Sequence, residues 1–227
     1  MSTDATRPVR ERPILFSAPM VRAILDGSKT QTRRVMRPQM VYGDVCGIFP
    51  SWYLPTGPDS GTLWPNGKVQ ILATCPYGGS GDRLWVRETT YNVEGNGFRG
   101  PVFVESDEGR YAAECGYGEY DDPDQIEPHQ LRKRPAIHMP RSMCRLVLEI
   151  TDVRIEGLNH ISESDARAEG VTIEDRHTTG YCAGAYYPPS IRAFRDLWES
   201  ISGPGSWDAN PWVWVVEFQR VDSAKGA

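Results

Sequence analysis

The chain has 227 residues, with 25 Lys and Arg against 30 Asp and Glu, a net charge of -5 and a hydrophobic share of 39%. That length suits one domain with insertions or at most two small ones, and seven Trp, ten Tyr and six Phe hold too much apolar area to leave in water, which excludes a fully disordered chain. The negative balance argues against coating nucleic acid by bulk charge, while leaving room for a local basic groove.

The first twelve residues, MSTDATRPVRER, are polar and charged and read as a disordered tail. No apolar stretch follows their charges, so they do not form a secretory signal, and no run is long enough for a membrane span. The expected location is cytoplasmic, with no membrane partner. Ile14-Leu15-Phe16 reads as a short strand. Pro19 opens a helix whose apolar stripe is Met20, Ala23 and Ile24, and Gly27 stops it. Lys29 to Val35 is a turn leading into a strand. Residues 43–81 are rich in Gly and Pro and read as a long irregular insertion with one strand at Val69 to Ala73. Arg83 to Glu88 alternates as a strand. A second irregular insertion covers about 91–137 and mixes GYGEYDDPD with the basic LRKRP.

Arg145 to Ile155 alternates again. Ser162 caps a helix with Asp165 three residues on, and Gly170 ends it. Ser190 is read as the cap of a second helix that presents Ile191, Phe194, Leu197 or Trp198, and Ile201 on one face. Gly203-Pro204-Gly205 breaks it, and Trp212 to Val221 closes the chain as an aromatic strand ahead of a tail at 222–227. Few helices separate consecutive strands. The predicted class is therefore α+β, built on a small mixed or closed barrel rather than a doubly wound parallel sheet.

Three clusters carry candidate chemistry. In Gly27-Ser28-Lys29-Thr30-Gln31-Thr32-Arg33-Arg34, Thr32 could act as a nucleophile if a base takes its proton, and Lys29 could be that base if burial depresses its pKa. In a regular strand, positions 29 and 32 point to opposite faces, so the pair requires Lys29 to sit on the turn. The alternative is a solvated basic strand end. Glu169, in the last turn of its helix, faces the negative helix end and calls for a cationic partner such as Lys29, or else lies exposed. In the third cluster, Trp85 could stack on a planar base and Arg87 could hold a phosphate or carbonyl beside Glu88, or the three could form a half-buried strand with a surface ion pair. The cysteines, Cys46, Cys75, Cys115, Cys144 and Cys182, are odd in number and lack a C-x-x-C, which favours reduced thiols. His177 and Cys182 are close in sequence, but no second pair has ligand spacing, so no metal and no cofactor are expected.

The segments ILFSAPMVRAILDGSKTQTRR, GDRLWVRET, HMPRSMCRLVLEITDVRIEGL, ISESDARAEGV and NPWVWVVEFQRV together resemble the ASCH domain, a branch of the PUA-like superfamily, and in particular the larger ASCH proteins often carried by phages and prophages. The resemblance implies one domain over residues 13–221, a small β-barrel flanked by short helices, with insertions at about 43–81 and 91–137. It also implies a cleft for RNA or a modified nucleoside. Some small members of the family are amidohydrolases that remove the acyl group from N4-acetylcytidine with a Lys, a Thr three residues later and a Glu in the short helix. By position these are Lys29, Thr32 and Glu169. The resemblance gives substrate-binding roles to Arg34, Trp85, Arg87 and Glu88. The alternative function is a non-catalytic module that binds RNA or a modified base, using a groove of Arg33, Arg34, Arg37, Arg132, Lys133 and Arg134.

Overall fold

The structure is a computed structural model that describes residues 8–44, 50–57, 60–64, 66–119, 124–178 and 187–221. Most of the N-terminal tail, the C-terminal tail at 222–227, Cys46, Tyr120 and Cys182 lie outside those residues. In chain order the elements are β1 (Glu11–Leu15), α1 (Ala18–Leu25), β2 (Gln31–Val35), β3 (Val41–Asp44), β4 (Pro50–Gly57), β5 (Ser60–Trp64) and α2 (Lys68–Ala73). Then come β6 (Arg83–Arg87), β7 (Thr90–Tyr91), β8 (Val102–Phe103), α3 (Asp107–Cys115) and β9 (Lys133–Arg134). The chain ends with β10 (Val147–Gly157), α4 (Glu163–Ala168), α5 (Asp175–Thr178), α6 (Pro189–Ser202) and β11 (Trp212–Val221). The class is mixed α+β, with several sheets and few helices. Among the described residues no helix is long and apolar enough to cross a membrane.

Contacts divide the chain into two compact units. The first comprises Met1–Arg10, Gly27–Asp82 and Glu149–Gln219. In it, β11 lies between β10 and β2, and β11 pairs antiparallel with β2 in the register Val213 to Val35, Val215 to Arg33 and Glu217 to Gln31. Directly opposed residues share a face. The face carrying Val213 and Val215 buries a core with Leu158, Ala166, Ile191, Phe194, Trp198 and Trp207, so α4 and α6 cover it. Of the apolar stripe expected on α6, Trp198 rather than Leu197 enters the core, and Ile201 remains 58% exposed. The helix begins at Pro189 with Pro188 as its N-cap, and Ser190 is buried inside the first turn instead of capping it. Proline at the first helical position has no amide to satisfy, so it displaces serine as the boundary signal.

The same unit contains the segment read as irregular. It holds a three-stranded antiparallel sheet, β3-β4-β5, in which Tyr42, Trp52 and Trp64 stand opposite one another across the strands. Trp52 packs edge-on against Trp212 at 5.1 Å between ring centroids. Cross-strand aromatic contacts stabilise such pairs, and they are invisible to local patterning. The strand expected at Val69 to Ala73 is instead α2, whose Ile71 is buried. A short apolar run does not distinguish strand from helix by periodicity.

The second unit comprises Glu11–Asp26, Arg83–Leu148 and Arg220–Ala227. Here β1 and β6 run parallel, with Ile14 opposite Val86. The strand starts at Glu11, earlier than the tail reading allowed. The second insertion is also structured. It carries the small sheet β8-β7-β9, a core of Tyr91, Val93, Val102 and Ile126, and α3, whose cap Ser106 accepts a hydrogen bond from the Gly109 amide.

Candidate active site

Two glycine turns set up the site in the first unit. After α1 the chain passes Gly27 at φ 83°, and after α4 it passes Gly170 at φ 74°, the left-handed conformation that glycine adopts without steric cost. Between those turns Lys29 and Glu169 form an antiparallel bridge, and the Thr30 amide donates to the Ala168 carbonyl at 2.8 Å. The Lys29 ammonium donates to the Glu169 carboxylate Oε2 at 2.8 Å and to its backbone carbonyl at 2.9 Å. The side chains are 0% and 3% exposed. Glu169 is the C-cap of α4, and the ammonium supplies the positive charge that this end of a helix favours. Burial pushes Lys29 below the ordinary lysine range. Glu169 opposes that shift, and Arg34 and Arg33 reinforce it.

Alternation along β2 then separates its side chains. Gln31 and Arg33 reach α4: Gln31 Nε2 donates to the Asp165 carbonyl at 2.9 Å, and Arg33 donates to Glu169 Oε1 at 3.3 Å, Asp165 Oδ2 at 3.0 Å and Glu156 Oε2 at 3.1 Å. Arg154 on β10 extends this network to Asp165, Glu156 and Glu217. Thr32 and Arg34 take the opposite face, across from Val216 and Trp214 on β11. Thr32 is 2% exposed. A cavity of about 470 Å³ is walled by Trp214, Met36, Leu54 and Pro76, next to the strand positions that carry Arg34. Burial lowers the Arg34 pKa, while Tyr77 and Glu169 oppose the shift. Lys29 is thus electrostatically coupled to guanidinium groups on both faces of β2.

No protein-family model, curated protein or solved structure gives a significant match to this chain. The site therefore rests on its own geometry. That geometry brings Lys29 and Glu169 together across 140 residues, with Thr32 and Arg34 on the adjoining strand. Trp85, Arg87 and Glu88 belong to the second unit and have partners there. Arg87 stacks over the Trp85 ring at 5.3 Å and donates from Nε to the Met139 carbonyl. Glu88 is 2% exposed and its carboxylate is held by Arg145 at 2.7 Å, which accounts for its burial. Of the groove arginines, Arg33 is consumed by three carboxylates and Arg134 pairs with Glu94.

The sequence reading set Arg33 in a nucleic-acid groove rather than beside Glu169, and missed Arg154, Glu156 and Asp165 as parts of the site. The alternation that places residues 31 and 33 on one face of β2 was present, but the carboxylates that hold Arg33 come from β10 and α4, more than 120 residues away. Among the described residues no group of three or more His, Cys, Asp or Glu is arranged to hold a metal ion. His177 accepts from the Glu174 amide at Nδ1 and faces Asp196 through Nε2.

Proposed function

We propose that this chain is a cytoplasmic ASCH-type amidohydrolase with a PUA-like barrel, removing an acyl group from N4-acylated cytidine or a related modified nucleobase. The observation that carries the reading is the fully buried Lys29–Glu169 pair at the mouth of the Thr32-bearing strand. A buried ion pair is a poor source of stability, because desolvation of both charges offsets their attraction. A lysine whose pKa is depressed by burial, by contrast, offers a larger neutral fraction to accept a proton than an ordinary lysine does at the same pH.

In this scheme the neutral Lys29 amine takes the Thr32 hydroxyl proton while Thr32 Oγ attacks the acyl carbon. Collapse of the tetrahedral intermediate breaks the bond between the acyl carbon and N4. The leaving amine receives the proton from Lys29, and Glu169 holds the ammonium in place throughout. Water then cleaves the acyl-Thr32 ester, releasing the acid and restoring the hydroxyl. Arg34 shares the Thr32 face of the strand, which supports giving it the role of balancing the developing oxyanion in this scheme.

Purified protein incubated with N4-acetylcytidine and bulkier N4-acyl analogues should release cytidine, read by chromatography. Thr32→Ala should abolish release, and Thr32→Ser should retain part of it. Tight binding without release would assign the chain to the non-catalytic module instead.

A further inference from the structure

The Glu169 carboxylate is shared. Lys29 occupies Oε2, and Arg33, itself 0% exposed, occupies Oε1. Removing the proton from Lys29 would leave a buried carboxylate facing a neutral amine, and an uncompensated buried charge is costly. The second guanidinium contact removes that obstacle, because Glu169 keeps a cationic partner in both protonation states of Lys29. Arg33 can fill this place because Asp165 Oδ2 and Glu156 Oε2 fix its other nitrogen. We propose that Arg33 is a positioning residue that holds Glu169 through the proton cycle of Lys29 and so allows Lys29 to act as a base.

The idea rests on the amidohydrolase reading for its catalytic meaning, but the proton equilibrium of Lys29 can be measured without any substrate. The charged groups that act on Lys29 are Glu169 at the C-cap of α4 and Arg33 and Arg34 from β2; beyond them, Asp165 from α4 and Glu156 from β10 hold Arg33, Tyr77 acts on Arg34, and Arg154 joins Asp165 and Glu156 to Glu217 on β11. Of these, Arg33 is the cation bonded to the carboxylate that Lys29 shares. Burial and the two arginines lower Lys29, as the proposal requires.

The chain contains four lysines, Lys29, Lys68, Lys133 and Lys225, so ¹³Cε-lysine NMR resolves Lys29 by a single Lys29→Met spectrum. Arg33→Gln should raise the Lys29 titration midpoint by about one pH unit, a tenfold change in its proton affinity. Arg33→Lys should restore most of the shift. Glu156→Gln breaks another Arg33 contact without touching Glu169, so it should lower the melting temperature and leave the Lys29 midpoint in place. An unmoved midpoint in Arg33→Gln overturns the proposal, and so does an equal shift in Glu156→Gln, which would mark Arg33 as scaffolding only. If Arg33→Gln does not fold, Arg33→Lys is read alone: its Lys29 midpoint should stay close to the wild-type value, and a displacement of about a full pH unit overturns the proposal. In the activity arm, the ascending limb of kcat/KM against pH should move with the NMR midpoint. Lack of cytidine release by the wild type would refute the amidohydrolase reading alone, while the titration still decides the role of Arg33.

Discussion

Lys29 and Glu169 are not equivalent halves of their pair. If Lys29 is replaced by Met, Glu169 keeps Arg33 at 3.3 Å. Loss of Glu169 leaves Lys29 and Arg33 buried together beside Arg34 with their shared anion gone. Breaking a buried pair by removing one partner costs about 3–5 kcal/mol, and Glu169→Ala should fall in that range while Lys29→Met costs less. Urea unfolding of the two variants measures the difference, and a greater loss for Lys29→Met would contradict the shared-carboxylate geometry. The pH dependence has a definite sign. Burial lowers Lys29 below its ordinary value of 10.5, so across the interval up to 10.5 the unfolded chain binds a proton that the native chain releases. Stability should therefore rise with pH through that interval, and Lys29→Met should flatten the rise. A steeper rise in the variant would reverse the assigned direction.

At the scale of the elements, α3 depends on close backbone approach. A Cβ on Gly109 would lie 1.9 Å from the Phe103 carbonyl oxygen, a backbone atom that cannot swing aside. Gly109→Ala should destabilise the protein by about 1–3 kcal/mol, the cost of forcing an extra methyl into a packed site, as read by thermal melting. A neutral substitution would mean that α3 does not sit on β8. The sequence made some elements legible and hid others for physical reasons. The strand β11 and the helix α4, with its Ser162 cap and Gly170 stop, announce themselves through local alternation and capping. The sheet β3-β4-β5 does not, because Tyr42, Trp52 and Trp64 pair through tertiary contact within a stretch full of Gly and Pro. In the site, a carboxylate stranded at a helix C-terminus left a cationic partner or an exposed Glu169 open, and it was the resemblance to the ASCH pattern that pointed to Lys29. The partners of Arg33 were not foreseeable, since β10 and α4 meet β2 only after the chain has folded.

Charge shapes the molecule as a whole. The net charge is -5, and Arg33, Arg134, Arg145 and Arg154 are engaged by carboxylates. Non-specific affinity for single-stranded RNA comes from free cations, with typical dissociation constants of roughly 10⁻⁴ to 10⁻⁶ M. This chain should bind polyuridine at the weak end of that range or below at physiological salt, by fluorescence anisotropy. Submicromolar binding would favour the RNA-binding alternative. The central claim is chemical: Thr32 carries the acyl group in transit, activated by a lysine kept in a buried pair. Mass spectrometry of the intact protein, quenched during turnover of N4-acetylcytidine and then digested, should find one acetyl group on the peptide containing Thr32. Release of cytidine with that peptide unmodified and with undiminished turnover in Thr32→Ala would contradict it.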